Sequence, residues 1–126
     1  MKAVLVDTSV WVAHFRDHNQ ALAERLALDG VMMHPLVVGE LACGTPPDRE
    51  RTLADLGALQ PIQQASMTEV LAFIDRENLY GLGCGWVDMV LLASVLMTPG
   101  VQLWTLDKRL DALAERFGVA HRPNVH

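Results

Sequence analysis

Ala3-Val4-Leu5-Val6-Asp7-Thr8-Ser9 decides the fold: four apolar residues stop on a carboxylate, and two hydroxyl residues follow. A run this short, apolar at every position, reads as a strand buried on both faces, the strand type of parallel sheets. Three more such runs lie downstream: Val31-Met32-Met33, a weaker one over Leu59 to Gln63, and Val101 to Leu106. Helical patterns separate them. A short helix is expected from about Val10, capped by Thr8 or Ser9, and another from Asn19 to Leu28. Pro35 suits the first turn of a helix over Leu36 to Ala42, and Pro46-Pro47-Asp48 opens one reaching Leu56. Ser66 and Glu69 form a capping box ahead of Val70, Phe73 and Ile74. The glycine-rich segment Tyr80 to Gly85 leads into a helix from Trp86 to Met97. A last helix spans Lys108 to Phe117, with Val119-Ala120 as a candidate edge strand. Strands alternating with helices give an α/β chain with a mainly parallel sheet, and 126 residues give one domain, 1–126.

Composition narrows the class. With 51% hydrophobic and 20% charged residues, a disordered chain is excluded. Cys43 and Cys84 lack CxxC spacing, and nothing at the start reads as a secretory signal, so a reducing cytoplasm is the expected setting. Residues 89–106 carry no charge, yet Thr98-Pro99-Gly100 interrupts them. They read as a buried helix, a turn and a buried strand rather than a membrane span. The net charge of -5 argues at first against a partner made of phosphates.

Most acids fall on polar helix faces, where solvation explains them. Four do not. Asp7 and Asp107 end apolar runs, and in open α/β sheets sites form outside the carboxyl ends of strands. Glu40 stands alone on the uncharged helix Leu36 to Ala42, and Asp88 sits in the apolar stretch Gly85 to Ser94, which reads as buried. Each has a plainer use: Asp7 and Asp107 as helix caps, Asp88 as a first-turn charge on the helix dipole. Jointly they are harder to explain, because no Lys or Arg occurs between Arg25 and Arg49 or between Arg76 and Lys108. Carboxylates converging without cations repel unless protons or a divalent ion compensate, and an all-oxygen set selects Mg2+ or Mn2+. The histidines His14, His18, His34, His121 and His126 show no HxH or HExxH spacing, which weighs against zinc. His34 follows the second strand and reads as a surface or satisfied histidine.

Val6-Asp7-Thr8-Ser9-Val10-Trp11, Val38-Gly39-Glu40-Leu41-Ala42-Cys43-Gly44, Gly85-Trp86-Val87-Asp88 with Leu91-Leu92-Ala93-Ser94, and Trp104-Thr105-Leu106-Asp107-Lys108-Arg109-Leu110 occur in that order. Together they resemble PIN-domain ribonucleases, and more closely the VapC-type toxins of bacterial toxin–antitoxin modules. The resemblance implies a three-layer sandwich, a parallel sheet flanked by helices, and a Mg2+- or Mn2+-dependent endoribonuclease site. Asp7, Glu40, Asp88 and Asp107 match its four acidic positions, with Asp7, Asp88 and Asp107 as metal ligands. Glu40 would hold water or take its proton. Ser9 and Thr105 match hydroxyl positions that support the acids. An RNA substrate, a cognate antitoxin and a homodimer are also implied. The chain departs at Leu82, where many relatives carry a basic residue, and Lys108 and Arg109 rather than a second acid come directly after Asp107, which leaves one or two ions open.

Two other classes compete. A phosphoaspartyl protein, receiver-like or haloacid-dehalogenase-like, would also use Asp7. The dehalogenase pattern wants an acid where Ser9 stands, and a receiver wants a Lys that residues 98–106 lack. A non-catalytic PIN-like module would be betrayed by a missing acid, and none is missing. Trp86 reads as a core indole or a base-stacking platform, and Lys108 with Arg109 as a solvated helix start or a phosphate contact. With four negative charges assigned to a site, the remainder is -5 + 4 = -1, and RNA is no longer disfavoured.

Overall fold

Residues 2–123 are described by the computed structural model of the chain, and His126 lies outside them. β1 (Ala3–Val6) has Val4, Leu5 and Val6 fully buried, as its unbroken apolar run demands. It pairs in parallel with β2 (Val31–Met33) on one side and β4 (Val101–Trp104) on the other. β3 (Gln60–Pro61) pairs with β2, so the sheet order is β3-β2-β1-β4, parallel throughout. The predicted third strand, Leu59 to Gln63, shrinks to two exposed residues. Pro61 has no N–H to give a ladder and belongs at a sheet edge. β4 stops at Trp104 rather than Leu106, which places Asp107 beyond the strand. Val119-Ala120 contributes a single parallel bridge, Leu103 to Ala120.

Seven helices flank this sheet among the described residues. Between β1 and β2 run α1 (Thr8–Arg16) and α2 (Gln20–Ala27); α3 (Pro35–Ala42) and α4 (Arg49–Gly57) precede β3. α5 (Met67–Glu77) and α6 (Trp86–Leu96) lead to β4, and α7 (Lys108–Arg116) follows it. α1 starts two residues earlier than the sequence implied, with Asp7 rather than Thr8 or Ser9 at the cap position. α5 has the expected capping box: Glu69 N–H donates to Ser66 Oγ at 3.1 Å and Ser66 N–H to Glu69 Oε1 at 2.9 Å. α6 is buried from Met89 to Val95, and its Ser94 Oγ accepts from Ala65 N–H at 3.1 Å. At its N-terminus Trp86 is 39% exposed, so the indole is not the core residue the apolar run favoured. No helix among the described residues is long and apolar enough to cross a membrane.

The strand order locates the site. From β1 the chain moves outward to β2 and β3, then crosses back to place β4 on β1's other side. Right-handed crossovers put the two sets of helices on opposite faces, so the connections part between β1 and β4. A crevice at the carboxyl ends of strands forms at such a point.

Candidate active site

Asp7 leaves β1 at that crevice. Its backbone stays in the sheet, donating N–H to Trp104 O at 2.9 Å, while its carbonyl accepts from Val10 and Trp11 to start α1. The carboxylate does not cap α1. Instead Oδ2 accepts from Ser9 Oγ at 2.8 Å and from Thr105 Oγ1 at 2.7 Å. Each hydroxyl in turn accepts a backbone N–H from the turn into α7: Leu106 N to Ser9 Oγ and Asp107 N to Thr105 Oγ1, both 3.0 Å. A hydroxyl has one proton to give. Both protons go to Asp7, so the 3.4 Å contact between Ser9 and Thr105 is a close approach rather than a bond. Asp7 Oδ2 is thus held by two donors, while Oδ1 takes no hydrogen bond from the described residues.

The other three acids follow one pattern. Asp107 caps α7, its Oδ1 accepting from Leu110 N–H at 2.9 Å, so its plainer use is realised as well. Asp88, only half-buried, turns Oδ2 back to Gly85 N–H at 3.2 Å. Glu40 accepts from Thr8 Oγ1 at 2.6 Å. Thr8 was read only as a cap, and its bond to Glu40 crosses two elements whose juxtaposition no local spacing reveals. Each carboxylate therefore spends one oxygen on a protein donor. None is ion-paired to a Lys, Arg or His among the described residues.

The uncompensated charge is felt at Asp88. Burial pushes its carboxyl above the usual range, Gly85 N–H opposes that, and the charges of Asp7, Asp107 and Glu40 raise it further. All four acids therefore share one electrostatic neighbourhood. Among the described residues no three carboxylate, His or Cys groups already stand as a finished ligand set.

His34 is not part of the set. It is 3% exposed and caps α3, Nδ1 accepting from Leu36 N–H at 3.0 Å, while its Nε2 is buried without a partner among the described residues. Burial holds its pKa below the ordinary value. Cys43 and Cys84 are free thiols. Beside Glu40 a cavity of about 390 Å³ is lined by Thr8, Val12, Phe15, Arg16, Leu41 and Pro46 among others.

Comparisons with known proteins give the chain its family. The PIN domain family matches residues 4–116. Ribonuclease VapC32 of Mycobacterium tuberculosis, from strain CDC 1551 / Oshkosh and from strain ATCC 25618 / H37Rv, is 44% identical over 117 residues, 93% of this chain and 94% of the relative. A solved structure, DNA-bound VapBC from Salmonella typhimurium, superposes with a TM-score of 0.60 at 14% identity, covering 94% of this chain and 93% of that one. Its likeness is one of fold. With the family matched across most of its length and a relative at 44% identity, this chain belongs to the PIN-domain family and is of the VapC type.

Proposed function

We propose that this chain is a divalent-metal-dependent endoribonuclease and the toxin of a toxin–antitoxin pair. The observation that carries the reading is the four-carboxylate crevice, none of whose acids is ion-paired among the described residues and in which Asp88 is pushed toward its protonated form. Uncompensated carboxylates and an all-oxygen donor set fit Mg2+ or Mn2+. Asp7, Asp88 and Asp107 would hold the ion through the oxygens that their protein donors leave free. When bound, such an ion neutralises phosphate charge and makes water a competent nucleophile near neutral pH.

The chain's own groups supply the rest. Ser9 and Thr105 fix the Asp7 carboxylate in one orientation, so its free oxygen is aimed before substrate arrives. Glu40, oriented by Thr8, is the group to take a proton from the attacking water. Asp107 is rigid because it caps α7. The ribonuclease name of the 44% identical relative supports RNA as substrate.

An antitoxin segment with apolar side chains would suit the cavity beside Glu40, lined by Val12, Phe15 and Leu41, and a basic one the acidic crevice. The toxin–antitoxin assembly of the structural neighbour supports such a partner. A cytoplasmic homodimer completes the reading. The test is incubation of antitoxin-free protein with a panel of structured and single-stranded RNAs in Mg2+ or Mn2+. Cleavage that stops on chelation supports the reading, and an intact panel with either ion overturns it.

A further inference from the structure

The rim of the crevice carries one cation with an unusual seat. Gly83, in the segment between α5 and α6, has φ +83°, and a Cβ built on it would lie 2.8 Å from Arg109 Cδ and Cζ. Arg109, in the first turn of α7, therefore lies directly on the Gly83 backbone, in space that any other residue would fill. The segment Gly81 to Gly85 has no charged side chain of its own. Arg109 makes no ion pair among the described residues, although Asp107 is two residues away and Asp88 follows the same segment. Cys84 registers all three charges. After burial, Asp88 and Asp107 push its thiol pKa up, while Arg109 pulls it down.

An exposed guanidinium held beside an acidic crevice, yet not neutralised by it, retains its donors for an incoming anion. We infer that Arg109, seated on Gly83, binds a backbone phosphate of the RNA strand next to the scissile one and sets the strand's position. Lys108 is equally close in sequence, but no glycine seat fixes its side chain. The inference rests on the nuclease reading for its substrate class, and Arg109 acts in binding rather than in chemistry.

The test uses the full chain carrying Asp7→Asn, so that RNA is bound but not cut, in Mg2+. Affinity for a short fluorescein-labelled single-stranded RNA is read by anisotropy between about 50 and 200 mM salt. Arg109→Gln is expected to weaken binding about tenfold and to flatten the slope of log affinity against log salt by about 0.7, one phosphate contact on a single strand. Arg109→Lys should restore the slope, and Arg76→Gln, the same charge change elsewhere, should leave both unchanged. Wild-type affinity and slope in Arg109→Gln overturn the inference, and cleavage by the parent chain would then still stand. A flattened slope in Arg109→Gln, when the parent chain with Asp7 intact cuts no RNA, upholds the phosphate contact of Arg109 and removes the nuclease reading. Absence of any RNA binding overturns both.

Discussion

Thr105 Oγ1 donates to Asp7 Oδ2 at 2.7 Å, across 98 residues of sequence, joining the end of β4 to the end of β1. The same oxygen accepts Asp107 N–H, so one hydroxyl orients two of the four acids. Thr105→Val keeps the shape and removes both bonds. Because Asp7 and Thr105 are buried, loosening the Asp7 carboxylate and losing the bond to Asp107 N–H are expected to cost about 1–3 kcal/mol of stability. RNA cleavage should fall about 10–100-fold, the range for losing a partner that orients a metal ligand. Thermal unfolding and initial cleavage rates check both, and Thr105→Ser should recover most of the rate.

Asp88 carries a pH signature. Its folded pKa is raised, by burial first and then by its acidic neighbours. A carboxyl raised in this way adds stability below its ordinary pKa, and that contribution is lost as pH rises through the folded value. At neutral pH without metal, Asp88→Asn should therefore melt above wild type, and the gain should vanish in acid. Added Mn2+ should raise the wild-type melting temperature more than the variant's, because an ion bound only by the folded state stabilises it. Differential scanning fluorimetry across pH measures this.

Gly83 tests the seat of Arg109 from the other side. Gly83→Ala places a methyl group into the Arg109 side chain and asks Ala to adopt φ +83°. A loss of more than about 1 kcal/mol is expected, since Ala is strained wherever φ is positive. Combined with Arg109→Ala, the collision disappears, and the double variant should be more stable than the sum of the singles. Chemical denaturation of the four proteins closes the cycle.

Trp86 is exposed where Trp11 and Trp104 are buried at 1% and 3%. RNA binding to the Asp7→Asn chain should quench mainly Trp86 fluorescence. Trp86→Phe should remove that signal, and Trp86→Ala should cost about 1–3 kcal/mol of RNA affinity, the usual worth of one stacked base. Quenching unchanged in Trp86→Phe would place the RNA elsewhere.

Much of this was legible in the sequence because the central strand is short, wholly apolar and closed by an acid. Asp7 had to emerge at a parallel sheet's carboxyl edge, and Asp107 after the last strand had to reach the same edge. The capping box of α5 is a local signal and was read correctly. Contacts between elements were not legible. Thr8 with Glu40 and Gly83 with Arg109 depend on which helices meet, and nothing in either residue's neighbourhood in sequence records that. Trp86 misled because an apolar run gives no sign of where it emerges into solvent: Met89 to Val95 are buried, but the helix starts at the surface. β3 was overextended because it is an exposed edge strand, where Pro61 has no N–H to add to the ladder.

The central claim is that the Asp7 carboxylate, held by Ser9 and Thr105, works with a divalent ion to cut RNA. The most direct measurement compares antitoxin-free wild type with Asp7→Asn on one cleavable RNA, in Mg2+ or Mn2+ and again with chelator. Asn keeps an oxygen for the two hydroxyls but no charge for the ion. The account predicts metal-dependent cleavage by wild type and a rate below about one-hundredth of it in the variant, with both chains equally folded. Cleavage that survives chelation, or an Asp7→Asn chain that cuts as fast as wild type, would contradict it.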